Sequence, residues 1–189
     1  MRKIYDYFIK QAKKPYALFM LGIISFFGSI FSPFPSEMLL IPICLATPKK
    51  AFRSAFVASF WSVLGGIAGY SVGRWFFVIL GEPILKALNL MNVFSEISVI
   101  YEKWDALFIF ISGLTPFPYK VIAIFSGMVE TSSIVFIVAS VVSRFLRFYL
   151  IAWLLYKYGE KARVFIEKRL ELFFVIGSIF LGVVIYFLF

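Results

Sequence analysis

Ser32-Pro33-Phe34-Pro35-Ser36-Glu37-Met38 and Thr115-Pro116-Phe117-Pro118-Tyr119-Lys120-Val121 are two versions of one seven-residue phrase. Each reads hydroxyl, Pro, Phe, Pro, any residue, charge, apolar. Two prolines so close together cannot sit inside a helix, because each lacks a backbone donor and crowds the preceding turn. Both phrases lie in strongly hydrophobic sequence, and the charge is acidic in the first and basic in the second. Paired proline-broken, charge-bearing segments in the two halves of a hydrophobic chain are the sequence mark of a transporter site built from an inverted repeat.

The flanks have the composition this requires. Of 189 residues 62% are hydrophobic and the mean hydropathy is +0.94, well above the roughly half-apolar make-up of soluble domains. A net charge of +9 with 21% aromatic residues fits membrane topology better than nucleic-acid binding when the aromatics lie in long apolar runs. The chain has no histidine, which removes the commonest general base and metal ligand. One cysteine, Cys44, excludes an intrachain disulfide. No nucleotide, metal or triad motif is present. The expectation is a non-enzyme without cofactor or metal and with no nucleic-acid partner, and no cleavable signal sequence is evident after the basic start.

Around the first phrase, the arms Tyr16–Phe31 and Ser36–Ala46 have 16 and 11 residues, about 24 and 16 Å of helix. A hydrocarbon core is about 30 Å thick, so residues 16–46 are expected to form a re-entrant hairpin. Basic residues flank it on both sides, in the interfacial helix predicted for residues 1–15 and at Lys49, Lys50 and Arg53. The second phrase lies in a second hairpin, residues 106–130, with nine-residue arms and acidic flanks at Asp105 and Glu130. Spans are expected at 52–80 and 132–158, with a final one over 170–189. Residues 81–105 read as an outer loop with a short amphipathic helix. This topology leaves 13 basic residues on the cytoplasmic side and two outside, as the positive-inside rule requires. It puts the N-terminus in the cytoplasm and the C-terminus outside a bacterial inner membrane.

Four cations then fall within membrane segments: Arg74, Lys120, Arg144 and Arg147. Arg144 and Arg147 share a helix face, and a guanidinium fork matches phosphate geometry. One acid, Glu37, cannot neutralise them all. The excess calls for an anionic ligand, and the commonest amphiphilic anion in a membrane is a lipid phosphate. Glu37 is a proton or substrate group, or an acid favoured by the helix start it occupies; Lys120 shares that site or forms a structural bridge to Glu37. Ser32, Pro33, Pro35, Thr115, Pro116 and Pro118 shape the turns. Gly65, Gly69 and Gly73 recur every four residues and give a smooth packing stripe.

Taken together these residues resemble the DedA superfamily, also called the VTT-domain or SNARE-associated family, and within it the YqaA-like branch. The resemblance runs from about Phe27 to Gly159. It is carried by Phe34-Pro35-Ser36-Glu37-Met38-Leu39-Leu40-Ile41-Pro42, by Gly65-Gly66 through Gly69-Tyr70-Ser71-Val72-Gly73-Arg74, by the second phrase with Ser126-Gly127-Met128, and by Arg144 and Arg147. It implies two hairpins facing each other and the movement of undecaprenyl phosphate or phospholipid between leaflets, as a flippase or, in eukaryotes, a scramblase. In bacterial members dependence on proton-motive force is attached to membrane acids and arginines. Two departures stand out: Gly66 replaces an Asp, and Gly113, Tyr119 and Lys120 occupy the region of two arginines. The expected fold is an all-α polytopic membrane protein with two inverted re-entrant hairpins and about three transmembrane helices. The expected function is transport of an anionic lipid, with proton coupling and homo-oligomerisation open. A small-solute or ion transporter on the same hairpins, and a non-transporting assembly factor, are the alternatives.

Overall fold

A computed structural model describes residues 16–30, 36–115, 118–162 and 164. Ser32, Pro33, Pro35 and Pro116, the interfacial helix expected over 1–15 and the span expected over 170–189 lie outside the described residues. Those residues form seven α-helices and no strand: α1 (Ala17–Gly28), α2 (Glu37–Ala46), α3 (Ala51–Phe76), α4 (Glu82–Ala87), α5 (Met91–Leu114), α6 (Tyr119–Met128) and α7 (Ser133–Tyr158). A short 3-10 turn, Pro48–Lys50, leads into α3, and a π-turn, Phe77–Gly81, joins it to α4. Two helical stretches are long and apolar enough to cross a membrane, Pro48–Ala87 and Ser133–Tyr158.

Helix α3 is central and packs on α1, α6 and α7. Its sequence explains how. The buried face carries Ala51, Ser54, Ala55, Ala58, Ser62, Gly65, Gly69 and Gly73, while Phe52, Phe56, Phe60, Trp61 and Trp75 point outward. Small residues inside and large apolar ones outside is the pattern of helices that meet in lipid, where close backbone approach replaces side-chain burial as the source of packing.

Side-chain contacts fix the directions. Phe52 meets Tyr156 at 5.8 Å and Tyr70 meets Phe136 at 5.0 Å, so α3 and α7 are antiparallel. Gly22 lies on Trp61, and Ser29 shares a 2.8 Å hydroxyl bond with Ser62, so α1 runs parallel to α3 from the end where α3 begins. Helix α2 returns to that same end. Gly113 abuts Ser143 and Thr115 reaches Arg147, so α5 runs alongside α7 from the opposite end. Helix α6 goes back to that end, with Ala123 beside Gly69 and Gly127 against the carbonyl of Tyr70. Each pair, α1–α2 and α5–α6, therefore starts and finishes at one end, and the two pairs enter from opposite ends.

The expected spans 52–80 and 132–158 coincide with α3 and α7 to within a few residues. The region 81–105 does not form the expected outer loop. Helix α4 and the part of α5 before Trp104 occupy it, and the first arm of the second hairpin, expected over 106–114, is the part of α5 after the kink at Trp104. Phe94 stacks on Phe77 at 4.7 Å and Tyr101 meets Phe125 edge-on at 4.9 Å, which packs the segment onto other elements. Trp104, at φ −128° and ψ 16°, breaks the helix geometry where the loop was expected to end.

The core has two apolar halves. One joins α1, α2, the start of α3 and the end of α7 around Leu21, Leu40, Ala55, Phe148 and Leu155. The other is Tyr70, Ile109, Tyr119, Ala123 and Phe136. Between them lies a polar layer with buried Glu37, Ser62, Ser112, Ser140, Ser143, Arg144 and Arg147.

Candidate functional site

Glu37 opens α2, where a carboxylate is favoured by the partial positive charge of the helix start, and only 3% of it is exposed. Arg144 and Arg147 project from the middle of α7 and are 8% exposed each. Arg147 forms an ion pair with Glu37 Oε1 through Nη2 and donates from Nη1 to the carbonyl of Thr115. Glu37 follows the first proline turn and Thr115 begins the second. One guanidinium thus joins the start of α2 to the end of α5.

Arg144 is held differently. Its guanidinium lies 3.9 Å from the centroid of the Tyr119 ring, with Phe148 further off at 6.0 Å. Its buried Nε has no hydrogen-bond partner among the described residues. The Tyr119 hydroxyl donates to Ser140 Oγ at 2.7 Å. Gly66 makes room for the ring, since a Cβ there would strike the Tyr119 hydroxyl. Gly66 and Tyr119 are therefore in contact.

The other expected residues divide. Lys120 is half-buried beside Tyr119 at the start of α6; among the described residues the ion pair of Glu37 is with Arg147 of α7, where a bridge to Lys120 was one of two readings. Pro118 caps α6. Thr115 supplies its carbonyl to Arg147, while its hydroxyl bonds back to Ile111 at 2.7 Å. Arg74 is not part of the cluster. It is solvent-exposed near the far end of α3, 3.4 Å from exposed Glu130, and borders a cleft of about 270 Å³ with Tyr70, Trp75 and Phe136. The excess of charge in the core is accordingly smaller than the sequence implied. Among the described residues three ionic side chains are buried, two cations and one anion.

The glycine stripe does more than pack one neighbour. A Cβ at Gly65 would meet the carbonyl of Phe26 in α1, and one at Gly73 the carbonyl of Ile124 in α6. The stripe holds one arm of each hairpin against α3.

Tyr119 and Ser140 are the residues that sequence reasoning missed. In the seven-residue phrase Tyr119 fills the position at which any residue is allowed. A signal for Ser140 and Ser143 existed: with Arg144 and Arg147 they form a polar stripe at helical spacing in an otherwise apolar helix.

No family model and no solved structure matches the chain. Three proteins described as uncharacterized resemble it. One from Haemophilus influenzae is 33% identical over 187 residues, covering 98% of this chain and 95% of the relative. One from Histophilus somni is 27% identical over 168 residues, 87% of each. One from the archaeon Methanocaldococcus jannaschii is 25% identical over 146 residues, 77% of this chain and 88% of the relative. With a third of its residues shared over nearly the whole of both sequences, the chain belongs to the same family as the Haemophilus influenzae protein.

Proposed function

We propose that this chain is a polytopic membrane protein of DedA type that moves an anionic lipid, or another phosphate-bearing amphiphile, between leaflets. The observation that carries the reading is the uneven charge of the polar layer. Glu37 neutralises Arg147, and Arg144 is left on an aromatic face with an unbonded donor. A buried cation without a counter-ion is costly, and an arriving oxyanion removes that cost. Membrane residence is supported by the two long apolar helices and by the many large apolar side chains exposed around them, which a soluble monomer rarely presents as one surface.

In this scheme the phosphate approaches Arg144, with Lys120 at the edge of the site. Glu37 competes with it for Arg147, and protonation of Glu37 frees that guanidinium. The test is transfer of a fluorescent phospholipid and of a labelled polyprenyl phosphate across proteoliposomes. Arg144→Ala should abolish transfer, and Glu37→Gln should remove its dependence on a proton gradient. Transfer at the wild-type rate by both variants overturns the mechanism.

A second reading is favoured by one specific contact. The Arg147 bridge ties the two turns together in a layer nearly closed to solvent, and a membrane assembly factor would need no more than that. It expects no transfer by the intact chain.

A further inference from the structure

The two buried arginines are three residues apart on one helix but are held by opposite means. Arg147 is paired by charge. Arg144 is carried by the face of an aromatic ring. A guanidinium held over a ring face keeps donors for a ligand, because its five N–H groups lie in its plane and point from its edge. It also keeps its charge, since a ring quadrupole attracts a cation without neutralising it. The result is a guanidinium held in place inside the polar layer, whose Nε has no hydrogen-bond partner among the described residues.

The ring is itself immobilised. Tyr119 is 2% exposed, its hydroxyl is bound by Ser140, and its outer edge fits over Gly66, where any side chain would displace it. It stands in the first turn of α6, directly after Pro118. From this we infer that Tyr119 is a positioning and specificity-determining residue. It holds Arg144 over its ring, so that the guanidinium fork selects oxyanions able to accept two parallel hydrogen bonds, such as a phosphate mono- or diester. This inference rests on the proposed anion site and adds how that site recognises its ligand.

The consequence is a residue requirement that charge alone does not set. Lysine at 144 would keep the charge and lose the fork. Phenylalanine at 119 would keep the platform and lose only the bond to Ser140. Methionine at 119 would keep much of the apolar volume and lose both platform and bond, so the difference between Tyr119→Phe and Tyr119→Met isolates the ring face.

The experiment is calorimetric titration of the purified full-length protein in micelles. Inorganic phosphate and dihexanoyl phosphatidic acid are the probes, and their ratio of affinities separates a free-anion site from a headgroup site. Binding by the wild type and by Tyr119→Phe is expected, with about tenfold weaker binding by Tyr119→Met, the size of a desolvated cation–π contact. Arg144→Lys should fold, judged by its melting temperature, and bind at least tenfold more weakly than the wild type. Equal affinity of Tyr119→Met and Tyr119→Phe, or wild-type affinity of Arg144→Lys, overturns the inference and leaves the anion site standing. Binding of neither probe by the wild type overturns the anion site itself.

Discussion

Arg147 is the side chain on which the two halves of the molecule depend. It pairs with Glu37 from one turn and bonds Thr115 of the other. Removing one member of a buried pair leaves a charge that nothing compensates, at a cost of about 3–5 kcal/mol. Arg147→Met should therefore destabilise the protein by that amount in denaturant unfolding in micelles. Adding Glu37→Leu should recover most of it, because an apolar pair of similar size avoids the desolvation cost. Additive losses would show that the bridge is not the stabilising unit. The double variant also separates the two functional readings: a chain that folds and assembles normally yet transfers no lipid has lost a working site. Tyr119→Phe is a milder case. It gives up one hydroxyl bond to Ser140 and should cost about 1 kcal/mol.

Among the elements, α3 decides the spacing of the rest, and its glycines are not equivalent. The nearest atoms to a Cβ at Gly69 are 3.7 Å away, whereas at Gly73 it would enter the backbone of Ile124. Gly69→Ala should stabilise by up to about 1 kcal/mol, through the better helix propensity of alanine. Gly73→Ala should destabilise by about 1–3 kcal/mol, as overpacking does. The same sign from both substitutions would refute the assignment of the stripe. The end of α6 yields a further test. Thr131 N–H bonds the carbonyl of Ser126 and Glu130 N–H that of Gly127, a Schellman closure with Glu130 at φ 55° where glycine is usual. Its ion pair to Arg74 is exposed and contributes little. Glu130→Gly should raise stability by about 1 kcal/mol, read from the unfolding midpoint.

What the sequence disclosed at this scale follows from which forces are local. Proline placement and unbroken apolar length are local, so α1, α2, α3, α6 and α7 were legible. Residues 81–105 were not, because Phe94 and Tyr101 pack against Phe77 and Phe125 from other elements, and such partners are invisible in a charge pattern. The site was legible in its charges and not in their pairing. Glu37 and the arginines stood out as ions in apolar sequence. The choice of Arg147 over Lys120 as the partner of Glu37, and the aromatic seat of Arg144, depend on how α6 and α7 lie across α3.

At the scale of the whole molecule, the arrangement makes a claim about sidedness that does not depend on transport. Helices α3 and α7 are antiparallel, so Lys49, Lys50 and Arg53 at the start of α3 share an end with Lys157 and Lys161 at the close of α7. The first hairpin starts and finishes at this basic end. The opposite end carries Glu82, Lys86 and the Arg74–Glu130 pair, with the two cations each matched by an acid. Positive residues are retained in the cytoplasm, so the basic end should be inside. With Cys44 replaced by alanine, single cysteines at positions 50, 161 and 86 test this, since all three native lysines are exposed. A membrane-impermeant maleimide should label Lys86→Cys in intact cells, and Lys50→Cys and Lys161→Cys only after permeabilisation. The reverse pattern would keep the fold and invert its orientation. Labelling of positions 50 and 161 from opposite sides would refute the paired-hairpin architecture, because α1–α2 could then not enter and leave through one face.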